Sequence, residues 1–157
     1  MESLLLIAGV ITLSAGVVWS FRSATSGAAF ALLGISALKH SDYFAINSTE
    51  MLYWAVAVLI ILIVGWNNGW QIAVPKICRN YIVGGTLVGM MVGLTKGHSA
   101  MIIASVVGAV VGSIAYGRTS AGASLSTHLR WAIVKIGLPA IVTMTLVGMA
   151  VEGLMNR

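Results

Sequence analysis

The chain has 157 residues, of which 59% are hydrophobic and 8% charged, and its formal net charge is +5. Soluble domains carry about 25% charged residues, so this composition, with a mean hydropathy of +0.98, excludes an ordinary soluble enzyme or nucleic-acid-binding domain and indicates an integral membrane protein. The basic excess does not point to nucleic acid either: lysines and arginines stand singly at the ends of apolar runs, as in loops beside anionic lipid.

Apolar segments fall at 4–19, 27–38, 51–66, 81–95, 99–116 and 131–155. They predict one all-α domain over 1–157, a polytopic transmembrane bundle with six membrane-embedded segments. The first begins after Glu2 rather than after a basic stretch, unlike a cleavable signal peptide, and reads as a retained span. A full crossing takes about 20 residues. Segment 27–38 is shorter, so it either pairs with the first span as a tight hairpin or dips in and returns.

Aromatic residues gather where segments end, at Trp19 and Phe21, Tyr43 and Phe44, Tyr53 and Trp54, Trp66 and Trp70, Tyr81, Tyr116 and Trp131. Trp and Tyr anchor at headgroup level, and an interfacial belt is the expected role. If all six segments cross, Arg22, Lys76, Arg79, Arg118 and Arg130 share one side. Lys39, Lys96, Arg157, Glu2, Asp42 and Glu50 take the other. The positive-inside rule then puts the first group in the cytoplasm and both termini outside; a re-entrant second segment would put the termini on opposite sides. The single cysteine, Cys78, rules out an intrachain disulfide and reads as an interfacial thiol.

The fourth segment carries the most specific pattern, Gly85, Gly89, Gly93 and Gly97 at every fourth position. On a helix these form one bare stripe. An interior glycine costs roughly 1 kcal/mol relative to Ala in a soluble helix, but in lipid small residues at this spacing let backbones meet. The fifth segment continues with Ala100, Ala104, Gly108 and Gly112, so the two stripes are expected to zip into a glycine-zipper hairpin. Gly9 and Gly16 fall outside the four-residue pattern, and a leucine at Gly89 or Gly93 is expected to disrupt assembly more than one at Gly16.

The runs Gly84-Gly85-Thr86-Leu87-Val88-Gly89, then Gly93, then Val107-Gly108-Ala109-Val110-Val111-Gly112, together with the order of segments, resemble the small bacterial membrane family catalogued as domain of unknown function 456. A similar double-glycine hairpin occurs in the small eukaryotic transmembrane-14 family. The first resemblance implies a bacterial inner-membrane location; neither implies an activity or a set of binding residues.

Between the stripes, Lys96 and His98 flank Gly97 and are candidates for contact with a lipid headgroup or another anion. In the last segment Pro139, with Gly137, is expected to kink the helix and free a carbonyl one turn earlier. Transporters place binding sites at such interruptions, so Lys135, Pro139 and Thr143 are the candidates for a pathway or polar cavity. The competing expectation is that Lys135 snorkels to the interface, Glu152 anchors the opposite end, and Thr143 and Thr145 supply the missing hydrogen bonds. Ser105 and Ser113 are expected to bond across the hairpin, and Met90, Met91, Met101, Met144 and Met149 to act as adaptable packing.

No metal site is expected, because no two histidines have ligand spacing. No cofactor motif, nucleophile elbow or phosphate loop is present. An intramembrane enzyme would need Lys96, His98, His128 or Glu152 to converge, and the chain is not read as an enzyme. The leading expectation is an oligomeric transporter or channel for a small solute or ion. The other is a non-transporting structural or accessory subunit that docks a membrane protein, or its own copy, through its glycine faces. The bilayer is the partner common to both.

Overall fold

A computed structural model of the chain describes residues 2–41, 47–66, 75–119 and 132–155. Asp42, Tyr43, Phe44, Trp70, His128, Arg130, Trp131 and Arg157 lie outside the described residues. All regular structure among the described residues is helical: α1 (Glu2–Ser20), α2 (Ala24–Lys39), α3 (Ser48–Trp66), α4 (Lys76–Leu94), α5 (His98–Thr119) and α6 (Leu138–Met155), the last preceded by a π-helical turn, Ile133–Gly137. Five stretches are long and apolar enough to cross a membrane, namely α1, α3, α4, α5 and Ile133–Met155. Helix α2, with 16 residues, is shorter. These helices fit an integral membrane protein.

Contacts between helix ends define an up-and-down arrangement. At one end, the Arg79 Nε at the start of α4 donates to the Phe21 carbonyl in the α1–α2 turn at 2.8 Å. Tyr81 and Tyr116 also meet there, with ring centroids 6.1 Å apart. At the other end, the Lys39 Nζ closing α2 donates to Ser48 Oγ opening α3 at 2.9 Å, and His98 opening α5 lies 3.1 Å from Glu152 closing α6. Helix α2 therefore runs beside α1 from one end of the bundle to the other.

Two hairpins, α4–α5 and α1–α2, make the most extensive pairings, and α6 touches every other helix. That central place shows in its side chains: Ala140, Met144, Leu146, Met149 and Ala150 are all buried. Helix α3 is peripheral. It turns Trp54, Val58 and Ile61 inward, while Leu52, Val56, Leu59, Ile60 and Ile63 are exposed, as suits a helix facing lipid. Its far end reaches α2, where a Cβ on Gly65 would lie 2.9 Å from Thr25 Cγ2.

Candidate functional site

Three features stand out: the two hairpin seams, the broken start of the central helix, and the cluster at the His98 end.

In the α4–α5 seam, side chains give way to backbone. A methyl group added to Gly85 would collide with the carbonyl oxygen of Gly108, one on Gly89 with that of Ala104, one on Gly108 with that of Gly85, and one on Gly112 with that of Tyr81. On Gly93 it would meet the Cα of Met101. Gly97 differs. Its φ is +92° and no neighbouring atom lies within 4 Å of where its Cβ would be. It is the turn between the helices, in the left-handed region that L side chains avoid. Spacing alone placed it in the stripe.

The α1–α2 hairpin also brings glycine backbones together, which the reading of Gly9 and Gly16 as outside the pattern did not foresee, though there the side chains of Leu38, Ser20 and Leu13 are the first atoms a Cβ on Gly9, Gly27 and Gly34 would meet. A Cβ on Gly27 would lie 2.8 Å from the Gly16 carbonyl oxygen, and one on Gly34 would lie 3.0 Å from that of Gly9. From the other side, Cβ atoms on Gly9 and Gly16 would approach the carbonyls of Gly34 and Gly27 at 3.0 and 3.1 Å. These glycines recur every seven residues, two helical turns, so a search at four-residue spacing passes over them.

At the start of α6, proline has no N–H to offer the carbonyl one turn back, and its ring crowds that turn. The structure meets this with the π-helical turn Ile133–Gly137 just ahead of Pro139, since a wider turn accommodates a backbone that cannot keep the regular ladder. Lys135, in this turn, is exposed, whereas Pro139 and Thr143 are buried. The Thr143 hydroxyl donates to the Pro139 carbonyl at 2.8 Å, and Thr145 donates to Ile141 at 2.8 Å.

The same local closure recurs through the interior. Thr86 donates to the Ile82 carbonyl, Ser20 to Gly16, and Ser36 to Leu32. Each bond returns to the residue four earlier on the same helix. Ser113 donates to Val110 on its own helix rather than across the hairpin, and the buried Ser105 hydroxyl has no partner. Met90, Met101, Met144 and Met149 are buried, while Met91 is exposed; Met101 and Met90 fill the space opposite Gly148.

At the His98 end, residues distant in sequence converge. His98 Nδ1 lies 3.1 Å from Glu152 Oε2, and Nε2 lies 3.8 Å from Glu50 Oε1. Of the two residues expected to meet an anion, His98 is faced by two carboxylates and Lys96 is exposed in the turn. The nearness of His98 to Glu152 was one convergence an enzyme would need. Glu50 was not anticipated, and no spacing could have revealed it. No group of described His, Cys, Asp and Glu side chains is arranged to hold a metal ion.

The chain matches no family model, no curated protein and no solved structure.

Proposed function

We propose that this chain is a small polytopic membrane protein that acts as a structural or accessory subunit, with all six helices crossing the bilayer and both hairpins held as glycine zippers. The observation that carries the reading is that the bare backbone of the hairpins, and every buried hydroxyl named here except that of Ser105, are taken up within the chain. Stripes meet stripes, and the hydroxyls of Ser20, Ser36, Thr86, Thr143 and Thr145 are closed onto their own helices. A packed seam between helices follows from this more readily than a wet path. With the glycine faces occupied by each other, a partner membrane protein or second copy would dock on the outer helix surfaces instead. Charge supports an orientation: Arg22, Lys76, Arg79, Arg118 and Lys135 stand at one end, against Lys39 and Lys96 at the other. The arginine-rich end is cytoplasmic in this reading, and the membrane is a bacterial inner membrane. Membership in the family of domain of unknown function 456 belongs to the same proposal and rests on the glycine motifs of 81–118.

A second reading, transport of a small solute or ion by an oligomer, is favoured by one observation: the helix touched by all the others begins in a π turn and a proline. Such interruptions often mark functional sites in membrane helices.

Thiol accessibility separates the two. In a Cys78→Ala background, Ser105→Cys and Thr143→Cys are treated in proteoliposomes with a membrane-impermeant maleimide. A packed core leaves both unlabelled while Thr95→Cys, in the exposed turn, reacts. Labelling of either interior position overturns the structural reading in favour of transport.

A further inference from the structure

His98 stands between two carboxylates carried by two other helices. Glu50 lies in the first turn of α3 and Glu152 in the last turn of α6, while His98 opens α5. The imidazole faces each through a different nitrogen, Nδ1 toward Glu152 at 3.1 Å and Nε2 toward Glu50 at 3.8 Å. Although the ring is 39% exposed, Nε2 itself is screened from solvent and has no hydrogen-bond partner. A neutral imidazole has one N–H and one lone pair. It can donate to one carboxylate only, and the lone pair on the other nitrogen then faces the second carboxylate without a proton between them. A protonated imidazole has an N–H for each.

We propose that His98 is a proton-binding site that clamps the ends of α3 and α6 to α5, and that loss of the proton releases α3. The asymmetry follows from the geometry. The Glu152 contact is already at hydrogen-bond distance and survives in the neutral ring with its hydrogen on Nδ1. The Glu50 contact is longer and closes only when Nε2 also carries a hydrogen. Among the candidate spans, α3 has the smallest share buried in the bundle, and at this end the Lys39–Ser48 hydrogen bond also ties it to α2. The other charged or titratable groups whose side chains are described at this end have surroundings of their own: Lys39 donates to Ser48, His40 Nδ1 lies 2.9 Å from the Ser36 carbonyl of its own helix, and Tyr53 and Lys96 are exposed. The clamp is independent of whether the chain transports anything.

The test is an inter-spin distance measurement in nanodiscs on the full chain, with labels at Thr49→Cys in α3 and Thr95→Cys beside α5, in the Cys78→Ala background, at about pH 5.5 and about pH 8.5, bracketing the histidine range. A narrow distribution at the lower pH that broadens and lengthens at the higher is the expected result. His98→Asn should give the broad distribution at both values, and Glu50→Gln, which keeps the histidine and removes the charge it bridges, should do the same. His40→Asn should leave the transition intact. A wild-type distribution indifferent to pH overturns the proposal, as does a transition that persists in both His98→Asn and Glu50→Gln or one abolished by His40→Asn.

Discussion

The seam glycines differ in what a side chain would strike, and this ranks substitutions that look alike on paper. At Gly89 the obstacle is the Ala104 carbonyl, part of a rigid helix, whereas at Gly148 it is the flexible end of Met101. Gly89→Ala should therefore lower thermal stability in detergent more than Gly148→Ala, by about 1–3 kcal/mol if the overpacking costs of soluble cores carry over. Gly84, with nothing within 4 Å, is the control, and Gly84→Ala should be close to neutral. Because Gly16 is packed against Gly27 and Ala31, Gly16→Leu should be damaging as well. A tolerant Gly16→Leu beside a disrupted Gly89→Leu would instead support the ranking that four-residue spacing suggests. Spacing made Gly85, Gly89, Gly93, Ala104, Gly108 and Gly112 legible because each step is close to one helical turn. It misassigned Gly97, where the helix had already ended, and passed over Gly9, Gly16, Gly27 and Gly34 because their contacts repeat at twice that interval. His98, Glu50 and Glu152 were illegible as a group for a different reason: only the return of three separate helices to the same end of the bundle brings them together.

At the level of helices, the hairpins are braced at the end opposite His98 by contacts between them. Arg79, at the start of α4, satisfies the Phe21 carbonyl left open where α1 ends, and Arg22 lies over Trp19 at 5.8 Å from the ring centroid. A hydrogen bond from a charged donor is worth about 1.5–3 kcal/mol, less where water competes, as at this half-buried site. Arg79→Gln should therefore speed amide exchange at Arg22 and Ser23 while leaving the α4–α5 turn unchanged, and equal exchange in both turns would count against a local brace. Hydropathy made the five long apolar helices legible in the sequence but left the second segment undecided, because length was the only guide. The structure adds that one face of α2 packs inward, with Ala28, Ala31, Ile35 and Leu38 fully buried, while Leu33 on the other face is exposed.

For the whole molecule, the paired ends make the proposed orientation checkable. Ser23→Cys and Thr95→Cys sit in turns at opposite ends, so in right-side-out vesicles an impermeant reagent should reach Thr95→Cys and spare Ser23→Cys, with the reverse in inverted vesicles. Labelling of both from one side would remove α2 as a crossing. The length of α2 also bears on biogenesis. At 16 residues and about 1.5 Å per residue it spans about 24 Å, short of a hydrocarbon layer of about 30 Å, and it includes Gly27, Gly34 and several hydroxyls. Such a stretch partitions poorly from the translocon by itself. In the proposed six-crossing topology it would leave the lateral gate already folded against α1, so that this hairpin enters the bilayer as a unit, and any lesion at Gly16 or Gly27 would be felt during synthesis, before the helices that follow exist to rescue it.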